Sequence, residues 1–454
     1  MRSASAKLIF SITVIVFLFT FFGCDAGEDP GPEVKSEWAD WIKSNHYTIR
    51  SLEAEDTDYS DLRFLQAFLE GRSLVQLGES GHGVSEYNKA KVRLIKFLHE
   101  ELDYDVIAFE SSIFECYLAD KNAAILPPEE IMGQSIFGVW HCEETLKLFE
   151  YIKETKQSTR PLIFAGFDVQ TSSSWGAKKR PTLFKEAVEK IDPAYAQQVF
   201  DMDSIFISNH KNPSWLQSQG ETFKLFFEEL NIWFDENMSA LETAYTDSPL
   251  MPRILRQTAW SMIPFINQII SSGIERINYR DKGMAENVRV LLQELYPGKK
   301  IMIWAHNFHI LHNADEISNS KGMYNMGYWL AEWFPELLYT IGFFMYEGQA
   351  ALNTRGVYDI TPAKPNSLEA IFYQTGKEYS FVDMLYQTYQ PGTSWMFEEI
   401  PAKIWEIEDK EEMEDMKMIP RNQFDAVFFI KTVHPPEYLT YYGSEFLVPN
   451  EDFR

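Results

Sequence analysis

Cysteine is nearly absent. Three thiols in 454 residues cannot build a framework of bridges, so the fold must be held by its core. Basic residues are the second shortage: 41 Lys and Arg stand against 67 Asp and Glu, a net charge of −26. A surface this negative repels phosphate backbones, and nucleic-acid binding drops out of the expected functions. Long apolar runs are the third. The run from Leu8 to Phe22 falls short of the roughly 20 residues needed to span a bilayer. What is present is a globular balance, 45% hydrophobic and 24% charged, which excludes a disordered or collagen-like chain and allows a large buried core. The length suits two or three domains, or one large α/β domain carrying insertions.

The short apolar run has the flanks of an export signal. Arg2 and Lys7 precede it, and Phe21-Phe22-Gly23-Cys24 resembles a bacterial lipobox, in which the cysteine becomes the acylated first residue. Residues 1–23 are therefore expected to be a lipoprotein-type signal peptide. Residues 24–37, rich in Gly, Pro, Asp and Glu, are expected to be a tether. The chain would then be exported and held to the membrane of the bacterial envelope through a lipid on Cys24. A plain signal peptide or an N-terminal anchor is the alternative. Cys116 and Cys142 remain, either bridged or as two buried thiols.

Beyond the tether, Trp38 to Gly71 reads as mostly helical. Short apolar runs follow at Ser73–Leu77, Asp105–Phe109, Pro161–Ala165, Lys300–Trp304, Tyr339–Phe344 and Phe424–Ile430, each expected to be a strand. Helical stretches separate several of them, Val84–Leu102 being the clearest. The expected architecture is α/β: a mixed, largely parallel central sheet flanked by helices, with a helical insertion or cap subdomain. Core residues 38–180 and 294–454 would bracket the insertion at 181–293. The charged run Glu406–Met418 reads as a solvated helix or loop with no chemistry in it.

Ligands of open α/β sheets bind beyond the carboxyl ends of the strands. Four apolar runs deliver ionisable groups there: Glu79 with His82, then Glu110, then Asp168, then His306 with His309. Together they predict a cleft with acid and base character. Each also has a structural reading. Glu79 could cap the next helix, Glu110 could pair with Arg280 or Lys91, and Asp168 could cap the following segment. One of His306 and His309 would serve the chemistry and the other would be a structural hydrogen-bonder. His312 reads as exposed. Gly78-Glu-Ser-Gly-His82 has His where a nucleophile elbow needs Gly, so Ser80 is a weak nucleophile candidate. The glycines at 78, 81 and 83 do not make a dinucleotide fingerprint, and no HExxH is present.

Leu77-Gly-Glu-Ser-Gly-His-Gly83 resembles the opening motif of the erythromycin esterase family. Ala108-Phe-Glu110, Gly166-Phe-Asp-Val-Gln170, Arg280-Asp-Lys-Gly-Met-Ala-Glu-Asn287, Trp304-Ala-His-Asn-Phe-His309 and Phe424-Asp-Ala-Val-Phe-Phe-Ile430 follow in the family's order, across roughly residues 40 to 435. The resemblance implies a deep cleft that hydrolyses a carboxylic ester or macrolide lactone by histidine-activated water, with no cofactor. His82 would be the general base, Glu79 and Glu110 would orient it or the water, and His306 would bind or polarise the substrate. Asp168, Arg280, His309 and Lys91 complete the set as substrate-binding groups. Where the family often carries an arginine on the helix after the histidine, this face offers Lys91 and Arg93. A metal-dependent hydrolase drawing on the same Glu and His groups is the alternative, as is a surface lipoprotein that only binds a small molecule.

Overall fold

The computed structural model describes residues 31–318, 320–407 and 412–440. The chain opens with α1 (Ser36–Ser44), the two-residue strand β1 (Tyr47–Thr48) and the single turn α2 (Leu65–Phe68). It then runs through β2 (Leu74–Leu77), α3 (Ser85–Leu102), β3 (Tyr104–Ser112), α4 (Ile113–Asn122), α5 (Pro128–Gly133), α6 (Glu143–Thr155) and β4 (Ile163–Asp168). Five helices follow: α7 (Ser174–Glu189), α8 (Pro193–Asn209), α9 (Pro213–Ala244), α10 (Met251–Ile270) and α11 (Gly273–Val290). The sheet resumes with β5 (Lys300–Trp304), α12 (Asn307–Ile310), α13 (Met326–Trp333), β6 (Leu338–Ala351) and β7 (Val357–Asp359). Last come α14 (Leu368–Tyr373), β8 (Tyr379–Asp383), β9 (Ile400–Ile407), β10 (Glu412–Met418), α15 (Pro420–Gln423) and β11 (Ala426–Val433).

Strands β11, β6, β2, β5, β3 and β4 lie side by side in that order, each neighbouring pair parallel. β8 adds antiparallel to β11, β1 to β8, and β7 to the C-terminal end of β6. Central strands covered by helices on both faces read as near-continuous apolar runs, which is why they stand out in the sequence. All four residues of β2 are buried. Its polar member, Gln76, has its Oε1 paired with the Thr340 hydroxyl, which donates to it at 2.7 Å. Register then fixes where chemistry can occur. Leu77 lies opposite Trp304, Trp304 opposite Phe109, and Phe109 opposite Gly166. The residues that follow those four positions therefore emerge along one edge.

Two glycines bring the loop after β2 close to its neighbours. A Cβ on Gly78 would lie 2.0 Å from Asn307 Oδ1, and one on Gly83 would lie 2.0 Å from the carbonyl oxygen of Ala351. Neither glycine has positive φ, so both are there for close approach rather than a left-handed turn. The helical stretch α7–α11 has its own aromatic packing, with Phe206, Phe223, Phe227 and Phe265 buried together. Within it sits a buried Arg180–Asp203 ion pair at 2.7 Å.

Several expectations change. Trp38 to Gly71 is mostly irregular, because Arg93 donates to the Ser51 and Asp58 carbonyls and to both oxygens of Asp61. Those bonds hold the segment as coil. The end of the expected tether is docked: Lys35 N–H donates to Asn366 Oδ1 at 2.9 Å, and Ser36 already begins α1. Residues 24–30 of the tether, Cys24 among them, and the signal peptide lie outside the described residues. Glu406–Met418 is no solvated helix or loop. Its described part belongs to β9 and β10, which pair antiparallel and bury Ile404, Met416 and Met418. Lys403 answers Asp415 across the pair at 3.3 Å. Charge masks the alternation there. Cys116 and Cys142 are free, buried thiols. His312 is half-buried, with Nε2 on the Thr340 hydroxyl at 2.8 Å.

Candidate active site

Three clusters meet at the carboxyl edge. The first centres on Glu79, fully buried just past β2. Its Oε1 accepts from His82 Nδ1 at 2.6 Å and from the Trp140 indole N–H at 2.9 Å. Its Oε2 accepts from the Lys91 ammonium, carried in by α3. Lys91 is itself fully buried and lies 4.6 Å from the centre of the Trp304 ring, a cation–π contact. Burial pulls its pKa down to about 8 against the attraction of Glu79 and Glu110. The His82 side chain is 15% exposed. Burial disfavours its cation, but the Glu79 hydrogen bond and charge, backed by Glu406 and Glu110, outweigh that and raise its pKa above the usual 6.5. Because Nδ1–H is committed to Glu79, Nε2 carries the lone pair.

The second cluster is built on Glu110 at the end of β3. Its Oε1 accepts from Arg280 Nη2 at 3.0 Å and lies 3.1 Å from His309 Nε2, and its Oε2 accepts the His306 backbone N–H at 3.0 Å. Arg280, from α11, also grips both oxygens of Asp168, at 2.6 and 3.3 Å. His309 Nδ1 donates to Asp281 at 2.9 Å. Burial works against the His309 cation, yet Asp281 and Glu110 raise its pKa to about 10. Arg280 Nη1 also lies 3.2 Å from His309 Nε2, but an imidazolium has no lone pair to offer, so Nε2–H donates to Glu110. Glu110 is held well below the usual carboxylate range: burial opposes this, and His309, Arg280 and His82 overcome it.

The third cluster is His306, just past β5. Its Nδ1 accepts the Phe308 N–H at 3.2 Å, capping α12. That leaves Nε2–H to donate to Glu406 Oε2 at 3.0 Å. The tautomer follows from these partners. The His306 and His82 ring centres are 4.9 Å apart, and Trp140 stands edge-on to His82 at 4.9 Å. Among the described residues no three His, Cys, Asp or Glu side chains are grouped to hold a metal ion.

The erythromycin esterase family model matches residues 99–433. The chain belongs to the erythromycin esterase family. YbfO of Bacillus subtilis (strain 168), a proposed hydrolase by its name, is 29% identical over 96% of this chain and 99% of its own. Erythromycin esterase type II of Escherichia coli is 23% identical over 60% of this chain and 68% of its own. An erythromycin esterase mutant in its open conformation superposes with a TM-score of 0.66 at 17% identity, covering 86% of this chain and 98% of that one. Membership makes the chain a hydrolase on an α/β fold with a mostly parallel mixed sheet.

Within this erythromycin esterase family site, all eight residues singled out from the sequence lie at the carboxyl edge or directly behind it. Lys91, expected to bind substrate, spends its buried ammonium on Glu79. Glu79 caps no helix. Glu110 orients the His306 backbone and Arg280, and of the two histidines it is His306 that faces His82. Asp168 accepts the Gln170 N–H at 3.0 Å, the capping contact expected of it, and it also shares with Glu110 the Arg280 that was expected beside Glu110 alone. Arg93 turns away to Asp61. Ser80 is buried with Oγ 2.8 Å from the Tyr87 hydroxyl, which removes it as a nucleophile. Sequence reasoning missed Trp140, Asp281 and Glu406. Asp281 stands beside Arg280 in a motif already quoted, and that adjacency was the available signal.

Two outcomes are expected. Breaking the buried Glu79–Lys91 pair leaves an unpaired charge, so Lys91→Met should destabilise by about 3–5 kcal/mol. The Glu79→Gln/Lys91→Met double variant should lose less than the sum of the two singles. Chemical denaturation checks this, and additivity would contradict the coupling. The raised His309 pKa contributes stability that is fully present below its unfolded value near 6.5 and is lost as pH rises through about 10. Thermal unfolding from pH 6 to 10 should therefore fall less steeply in His309→Gln than in the unaltered chain.

Proposed function

We propose that this chain hydrolyses a carboxylic ester or lactone, with water activated by His82. The observation that supports this reading is the state of the site's three imidazoles. His306 has both ring nitrogens engaged and His309 is a locked cation. His82 alone among them keeps a nitrogen, Nε2, with no hydrogen-bond partner among the described residues, on a partly exposed ring.

The reaction balances on that atom. Water gives a proton to His82 Nε2 as its oxygen bonds to the carbonyl carbon. Glu79 fixes the tautomer and stabilises the imidazolium, the task of the third group in hydrolytic triads. The tetrahedral oxyanion collapses, the bond to the alkoxide oxygen breaks, and the imidazolium returns its proton to that oxygen. Acid and alcohol leave, or a single hydroxy acid when the ester is cyclic. Arg280, held in its charged form by Asp168 and Glu110 against burial, is the cation available to the oxyanion. A macrolide lactone is the first ester to try, given the family and the name of the E. coli relative. The lipid on Cys24 would keep the reaction at the cell envelope.

Macrolide lactones incubated with the full chain should gain the mass of one water, and simple esters should split into acid and alcohol. His82→Ala should cut kcat/KM by roughly 10²–10⁴-fold while circular dichroism is unchanged. A folded His82→Ala with normal turnover would sink the assignment. The base must be neutral to act, so activity should be lost as pH falls through a midpoint above 6.5. Separately, Cys24→Ser should move the protein from the membrane fraction to the soluble one, and an unchanged distribution would remove the lipid anchor.

A further inference from the structure

The described part of β9 ends where the catalytic edge begins. Its backbone is tied to the glycine-rich loop, with Glu406 N–H donating to the Ser80 carbonyl at 3.1 Å. A Cβ built on Gly81 would lie 3.1 Å from Glu406 Oε2, so any side chain at 81 would press on that carboxylate. The Glu406 side chain is 5% exposed, and its Oε2 takes the Nε2–H of His306. The two imidazole rings then lie 4.9 Å apart, tilted 54° to one another, each with its own carboxylate: His82 with Glu79, His306 with Glu406. Trp140 and the Glu406 strand bracket them from different elements.

We infer that Glu406 is a positioning residue of this site, holding His306 in the Nε2–H form and supplying, with Glu79, the negative charge against which His82 accepts its proton. This rests on the reading of His82 as the base. Glu79 alone is a weakened counter-ion, because Lys91 already draws on its other oxygen. Glu110 is divided among Arg280, His309 and a backbone N–H. Glu406 has no such cationic claimant among the described residues. Burial opposes its ionisation, but His306 and His82 hold its pKa below the usual value. The charged and titratable groups around His82 are thus Glu79 and Lys91 from β2 and α3, Glu110 from β3, His306 after β5 and Glu406 from β9. Tyr438, on the C-terminal segment, also feels the Glu406 charge.

The test is a titration of the full chain labelled with ¹⁵N in its histidine rings, His82 and His306 being assigned through His82→Asn and His306→Asn. In the unaltered chain the neutral His306 ring should give the Nε2–H pattern; an Nδ1–H pattern overturns the inference without any variant at residue 406. Glu406→Gln should lower the His82 midpoint by about one pH unit, and Glu406→Asp should keep most of it. A midpoint unmoved in Glu406→Gln overturns the inference. On any ester the chain hydrolyses, Glu406→Gln should lower kcat about tenfold, the loss expected when a base is weakened, with KM unchanged and the acid limb of the pH profile moved by the same amount as the midpoint. If no ester is turned over, the proposed function fails, and the ring titration still decides the role of Glu406.

Discussion

A carboxylate with no exposure to water must be paired, and Glu79 meets that requirement with three donors at once. Much of the site follows from it. Lys91 can be buried because Glu79 receives it, Trp140 is turned so that its indole N–H reaches Oε1, and His82 is left with one tautomer. Gly78 lets the loop pass close to Asn307, which keeps the carboxylate directly beneath the edge. Had Glu79 been exposed, each of these partners would have had water as an alternative.

The second cluster solves the same problem with different means. Glu110 and Asp168 are buried neighbours at the ends of adjacent strands, and two like charges there need cations. Arg280 supplies a fork that reaches both carboxylates, and His309 adds a proton that it keeps at neutral pH. This divides labour between the histidines. An imidazole that is charged at neutral pH cannot act as a base there, so His309 serves as a structural cation, while His82 keeps a free lone pair.

Strand-end residues were legible in the sequence because parallel strands are short apolar runs and their last residue points to the edge. Glu79, His82, Glu110, Asp168 and His306 were found that way. What escaped is informative. β9 and β10 were hidden because Lys403, Asp415 and their neighbours pair across the two strands, so alternation of burial was not alternation of polarity. Glu406 was hidden with them. Trp140 lies in a short turn whose local sequence gives no sign of pointing at Glu79. Residues 38–71 looked helical by spacing, yet a tertiary partner, Arg93, takes the carbonyls that a helix would have used. The fates of Lys91 and Arg93, two positions apart on one helix, were set by what lies opposite each, and a single sequence does not record that.

The strand order has a bearing on how the molecule is made. β2 leaves the ribosome early, yet its neighbours in the sheet, β5 and β6, are more than two hundred residues downstream. Until they arrive, a strand whose four residues all end up buried has no partner on either side, and Glu79 lacks the walls that justify its burial. Arg280 is translated before β5, but Glu406 comes nearly last. The nascent chain therefore carries its reactive groups for most of synthesis without an assembled site, and contacts so distant in sequence are slow to form. Translation nears completion before His82, its carboxylates and His306 can meet.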